Sequence, residues 1–178
     1  MSSRLIAFSF ALLSAHLLGA CQTMQETTEF VHVSTSFHFE VQAPFSRTVL
    51  LFGPESEKGW AGKNWQPRFF YPVPGKDTVG AVFTVPHSSH TSIWVNTIYD
   101  VQQGRMQYVA IIPEVVATIV DVKVASAGEA VTRVDVTYTR TALDSAANDD
   151  VRNLARRDAA SGPEWQKSID QLLSAPAR

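Results

Sequence analysis

The chain has 178 residues, of which 45% are hydrophobic, 10% aromatic and 18% charged, and its net charge is −2. That composition is ordinary for a globular protein, and the length suits one domain with its own core. The charge argues against a nucleic-acid binder, because no basic block is present to meet phosphates.

The N-terminus departs from this average. A single positive charge, Arg4, is followed by the run Leu5–Ala20, which is apolar or small throughout except for His16. A basic start, a short apolar stretch and small residues before a cut are the layout of a secretory signal. The run is short for a membrane-spanning helix, which needs about 20 apolar residues. The only cysteine of the chain follows at once. Leu18-Gly19-Ala20-Cys21 resembles the bacterial lipoprotein box, in which the cysteine is lipidated and becomes the mature N-terminus. The resemblance implies a signal peptide over 1–20, a lipidated Cys21 and a tether over 21–29. It places the domain on a bacterial envelope membrane, facing the periplasm or exterior. Gln22 after the cysteine favours the outer membrane in a two-membrane cell. About 158 residues would remain, without a second thiol to form a disulfide, so the core alone must hold them.

From Phe30 the pattern is regular. Val31, Val33, Phe37, Phe39 and Val41 alternate with His32, Ser34, Ser36, His38 and Glu40, which predicts a half-buried strand. Ala43-Pro44 ends it. Phe45, Val49 and Phe52 then recur near helical spacing until Gly53-Pro54, and "PESEKGW" fits a second single-turn helix. Strands are predicted over Arg68–Tyr71, Val79–Val85, Thr91–Asp100, Met106–Ile112, Val115–Val124 and Ala130–Thr139. Short turns such as "QQGR" and "SAGE" join several of them, so the strands form an antiparallel meander. Asp144 or Ser145 caps a final helix with Val151, Leu154 and Ala155 on its apolar stripe. Ser161-Gly162-Pro163 is expected to break or kink it, and Trp165, Ile169, Leu172 and Leu173 continue beyond.

This order predicts an α+β fold of the helix-grip kind. A seven-stranded curved antiparallel sheet wraps a long C-terminal helix, with a short helical pair after strand 1. The segments "VQAPFSRTVLLF", "IWVNTIYD", "YVAIIPEV" and "VTYTRTALDSAAND" resemble the START-like (SRPBCC) superfamily, one branch of which is called polyketide cyclase/dehydrase and lipid transport. The resemblance covers residues 30–173 and carries no catalytic signature. It implies a domain over 30–174, a tail over 175–178, and a cavity between the sheet's concave face and the helix. Relatives keep that helix continuous, so the Gly162-Pro163 break bears on the shape of one cavity end.

Alternation places Phe37, Phe39, Phe83, Val95, Tyr108, Val120, Val136 and Tyr138 on the inner face. Of these, Phe37, Phe83, Val95, Tyr108, Val120 and Tyr138 are the expected ligand contacts. No nucleophile elbow, paired carboxylates or phosphate-cradling loop appears, and no cofactor is implied. An enzymatic reading (cyclase, dehydratase or hydrolase) would draw on Tyr108, Tyr138 or Asp100, although Asp100 fits better as the cap of a turn. His87 and His90 in "HSSH" fall in a hairpin loop without a third ligand, so no metal is expected. Arg68 fits a surface ion pair. Trp60 and Trp65 fit a loop packed down near the cavity mouth. The leading expectation is a membrane-tethered, non-catalytic binding protein for a small hydrophobic or amphipathic molecule such as a lipid. The alternatives are an enzyme using the same cavity and a structural envelope lipoprotein with a filled core.

Overall fold

The computed structural model describes residues 29–175. The expected signal peptide, Cys21, nearly all of the expected tether and the last three residues of the expected tail lie outside them. The element order is β1 (His32–Val41), α1 (Phe45–Thr48) with a 3-10 turn at Val49–Leu51, a second 3-10 turn at Ser56–Gly59, then β2 (Arg68–Tyr71), β3 (Val82–Pro86), β4 (Thr91–Asp100), β5 (Arg105–Ile112), β6 (Val116–Ser126) and β7 (Thr132–Ala142). A 3-10 turn (Ser145–Ala147) leads into α2 (Asn148–Ala159) and α3 (Gly162–Ser174). Among the described residues no helix is long and apolar enough to cross a membrane.

The seven strands form one antiparallel sheet in the order β1-β7-β6-β5-β4-β3-β2. β2 through β7 are a meander, and β1 closes against β7 from the far end of the chain. The curved sheet with its C-terminal helices is the helix-grip fold that the element order predicts. Strand alternation sorts the residues between its faces. Val120, Val122 and Val124 of β6 and Val134 and Val136 of β7 are buried on the concave side, beside Phe37, Phe39 and Val41 of β1.

The C-terminal helix is two helices. Asp144 accepts a hydrogen bond from the Ala146 backbone N–H at 2.8 Å and so caps the turn that opens α2. α2 ends where the Ala160 and Ser161 N–H groups bond back to Arg157 and Asp158. Pro163 then sits in the first turn of α3, where its missing N–H costs nothing. Gly162 lets α3 press on β1: a side-chain carbon there would come within 3.3 Å of both the Phe37 ring and the His38 carbonyl. The bend brings Trp165 down onto Phe37, Phe39 and Trp60, with ring centroids 5.3, 6.5 and 5.0 Å away.

One expected inner residue is on the other side. Val95 pairs with Val82 and Val109 on the outer face, while its neighbours Trp94 and Asn96 face in. β4 is apolar on both faces, so hydrophobicity alone does not phase it. Its inner side carries the polar Ser92 and Asn96, both buried, with the Asn96 Oδ1 left without a partner among the described residues. Ser92 donates to the Val85 carbonyl at 3.2 Å, and the Asn96 amide donates to the Thr78 carbonyl at 3.0 Å. Its outer side leaves Ile93 exposed, opposite an equally apolar Ile111.

Candidate ligand cavity

The short helical pair delivers the feature that matters most. The Asp77 carboxylate accepts from the Glu55 N–H at 2.6 Å, the Ser56 N–H at 3.1 Å and the Ser56 hydroxyl at 2.5 Å, which pins the start of the turn Ser56–Gly59. The turn therefore has a fixed orientation, and Glu57 points into the protein. Its Oε1 accepts from the Tyr108 hydroxyl at 2.7 Å and from the Gly53 N–H at 3.2 Å. Among the described residues nothing hydrogen-bonds Oε2. Glu57 is only 7% exposed. Burial pushes its carboxyl up to about 7, with Asp77 adding to the effect and the bonds from Tyr108 and Gly53 opposing it. The Tyr108 hydroxyl is held well above its usual range by burial and by the carboxyl beside it.

Glu57 and Tyr108 line an internal hollow of about 170 Å³, together with Trp65, Trp94, Val120, Tyr138 and Trp165 among others. A cavity of about 150 Å³ suffices for benzene, so this one has room for a single ring. The indole N–H groups that edge the site are bonded elsewhere: Trp65 to the Pro54 carbonyl at 2.9 Å and Trp94 to the Ser92 hydroxyl at 2.6 Å. Their ring faces are thus positioned by polar anchors behind them. Trp65 meets Trp94 edge to face at 5.3 Å, and Trp94 meets Tyr108 at 6.1 Å.

Trp94 and Tyr138 also line a second, larger space. A cleft of about 500 Å³ runs between the loop after β3, the inner ends of β5 to β7, and α2. Its wall holds a buried ion pair. Arg140 donates Nε to Asp158 Oδ2 at 2.6 Å and Nη2 to Oδ1 at 2.9 Å, and its Nη1 reaches the Thr118 hydroxyl at 2.9 Å. The guanidinium lies 5.0 Å from the centre of the Tyr138 ring. Burial, and then Asp158, hold the Tyr138 hydroxyl above its ordinary value, against the opposing charge of Arg140. At the cleft edge His87 shares a 2.9 Å hydrogen bond with Ser92, and its ring lies 4.7 Å from that of His90. Burial and the neighbouring His90 lower the His87 value. Among the described residues no three His, Cys, Asp or Glu side chains converge as a metal site.

The structure brings Tyr108, Val120 and Tyr138 together around the hollow. Phe83 and Phe37 stand behind its wall. Phe83 stacks on Trp94 at 5.9 Å, and Phe37 stacks on Tyr138 at 6.4 Å. Val95 is outside, as described. Asp100 is outside too: its carboxylate caps the β4–β5 turn through the N–H groups of Gln102 and Gln103 at 3.0 and 2.9 Å. Trp60 packs down and bonds the Leu51 carbonyl, whereas Trp65 both packs and lines the hollow. Residue-type patterns miss Glu57, Trp94, Trp165 and the Arg140–Asp158 pair. Glu57 carries one usable signal, since it lies four residues after Gly53 and three before Trp60, on the turn's inner side.

No family model matches the chain, and no curated protein does. Solved structures do. Norcoclaurine synthase from Thalictrum flavum aligns over 97% of this chain and 99% of its own, with a TM-score of 0.61 at 11% identity. The fold is START/Bet v1-like. The XoxI protein of Bacillus cereus shares the START/Bet v1-like fold with a TM-score of 0.60 at 16% identity, over 83% of this chain and 99% of its own. A Thermobifida fusca protein does so with a TM-score of 0.60 at 14% identity, over 78% and 94%. At these identities the likeness concerns the fold alone.

Proposed function

We propose that this START/Bet v1-like domain is a membrane-tethered binding protein. It holds a small hydrophobic or amphipathic molecule in the hollow and cleft, and it carries out no chemistry on it. The observation that carries this reading is the two-part cavity sharing Trp94 and Tyr138 as walls, with an aromatic inner part and a more polar outer part. An apolar pocket with a few placed polar groups is the general form of a small-molecule site. The tether rests on the lipoprotein-like box at Cys21.

One preparation tests both halves. The full chain is isolated from its own cell envelope into lipid nanodiscs and sprayed natively. A population carrying one extra small mass that leaves on activation is expected, and a bare chain alone counts against the binding reading. Cys21→Ser is expected to leave the membrane fraction or to remain uncut. If it fractionates and runs on a gel as the parent chain does, the tether is wrong and the binding reading stands by itself.

A further inference from the structure

Resting on the ligand-binding reading, we propose that the hollow takes the ammonium group of a small hydrophobic amine, with Glu57 as counter-charge and the indoles of Trp65, Trp94 and Trp165 as walls. The lining decides the ligand's charge. It contains one carboxyl and no basic side chain. Two donors already occupy Glu57 Oε1, and Oε2 has no partner among the described residues. An ionised carboxylate so enclosed is under-compensated, and a cation arriving at Oε2 would complete it. Indoles are the best aromatic partners for a cation, and three of them line the space. An anion would meet Glu57 unpaired, while a neutral ligand could bond Oε2 but would bring no charge to balance the carboxylate. Size sets the rest: one ring or a short branched chain fits beside Glu57, and a longer body would pass Trp94 and Tyr138 into the cleft.

The state of Glu57 follows from this. Empty, its carboxyl titrates near neutrality because it is buried. The titratable groups around it are Tyr108 from β5, Tyr138 from β7 and Asp77 from the loop before β3, and none of them is a cation. A bound ammonium favours the ionised form, so binding at pH 6 should expel about one proton from Glu57.

The test is calorimetry on the full chain in zwitterionic nanodiscs, with empty discs subtracted. Three probes of one size are compared: benzylammonium, benzyl alcohol and benzoate. Benzylammonium is expected to bind about tenfold or more tighter than benzyl alcohol, with benzoate weakest. In Glu57→Gln, which keeps an oxygen for Tyr108 and Gly53, that preference disappears. Repeating the parent titration at pH 6 in buffers of different ionisation heat should show proton release for benzylammonium alone. That measurement decides the matter without the variant if Glu57→Gln does not fold. Equal binding of amine and alcohol, a preference that survives in Glu57→Gln, or amine binding without proton release overturns the proposal and leaves the binding reading intact. If none of the probes binds, the cavity reading itself falls and takes this proposal with it.

Discussion

Glu57→Gln is expected to stabilise the domain by up to about 3 kcal/mol at pH 8 and to change it little at pH 4.5. The sign follows from the direction of the shift. Glu57 has its folded value raised from 4.5 to about 7, chiefly by burial. The folded state therefore holds a proton that the unfolded chain gives up between those values. Stability from this group is present in full below pH 4.5, declines as the pH rises, and is gone above the folded value of about 7. The glutamine variant keeps the acceptor for Tyr108 and cannot ionise, so its stability should not show that decline. Urea unfolding of both proteins at several pH values reads the effect. Parallel curves across pH 4.5 to 8 would mean that Glu57 is solvated.

Asp158→Ala is expected to destabilise the fold by about 3 kcal/mol, or a fall of several degrees in Tm. The aspartate receives two bonds from Arg140, and the side chains of the pair are 13% and 11% exposed. Alanine leaves the guanidinium with only Thr118 among its present hydrogen-bond partners, beside the Tyr138 ring. The cost comes from that stranded charge more than from the lost attraction. Replacing both partners, as in Arg140→Leu with Asp158→Leu, should therefore lose much less than Asp158→Ala alone. Thermal unfolding of the single and double variants checks this. A double variant as unstable as the sum of two single losses would show that the pair stabilises the fold outright. By contrast, Arg133–Asp135 is an exposed pair, with both side chains more than 40% exposed, and its removal should be nearly silent.

The fold was legible in the sequence because its elements follow simple periods. β1 alternates along its length and β7 over Thr132–Thr137, since one face is core and the other is lined mostly with Ser, Thr, His and charged residues. The proline and glycine stops fall where the chain turns, and Gly162-Pro163 does divide the last helix. β4 was harder, because Ile93 and Val95 point outward while Ser92 and Asn96 are buried and bonded. Period two then gives no phase, and Val95 is placed on the wrong side. The cavity was half legible. Tyr108, Val120 and Tyr138 follow from alternation in strands of clear phase. Glu57 does not, because a single polar turn looks solvent-facing until Asp77, far along the chain, fixes its orientation. Trp165 depends on the bend before α3, and Arg140–Asp158 pairs a strand with a helix across 18 residues. Tertiary partners set these positions, and the spacing of Glu57 between Gly53 and Trp60 is the one trace of them in the local pattern.

Ligand binding requires the hollow to be open to a guest, and the tryptophans report on that directly. Three of the four in the chain line it, and the fourth, Trp60, packs 5.0 Å from Trp165. Bromobenzene is small enough for the space and quenches indole emission on contact. Titrating it into the full chain should quench emission along a saturating curve, and Val120→Trp, which fills the hollow, should abolish the saturable part. A linear dependence on concentration, unchanged by Val120→Trp, would mean that the quencher meets only the surface and that the interior is filled.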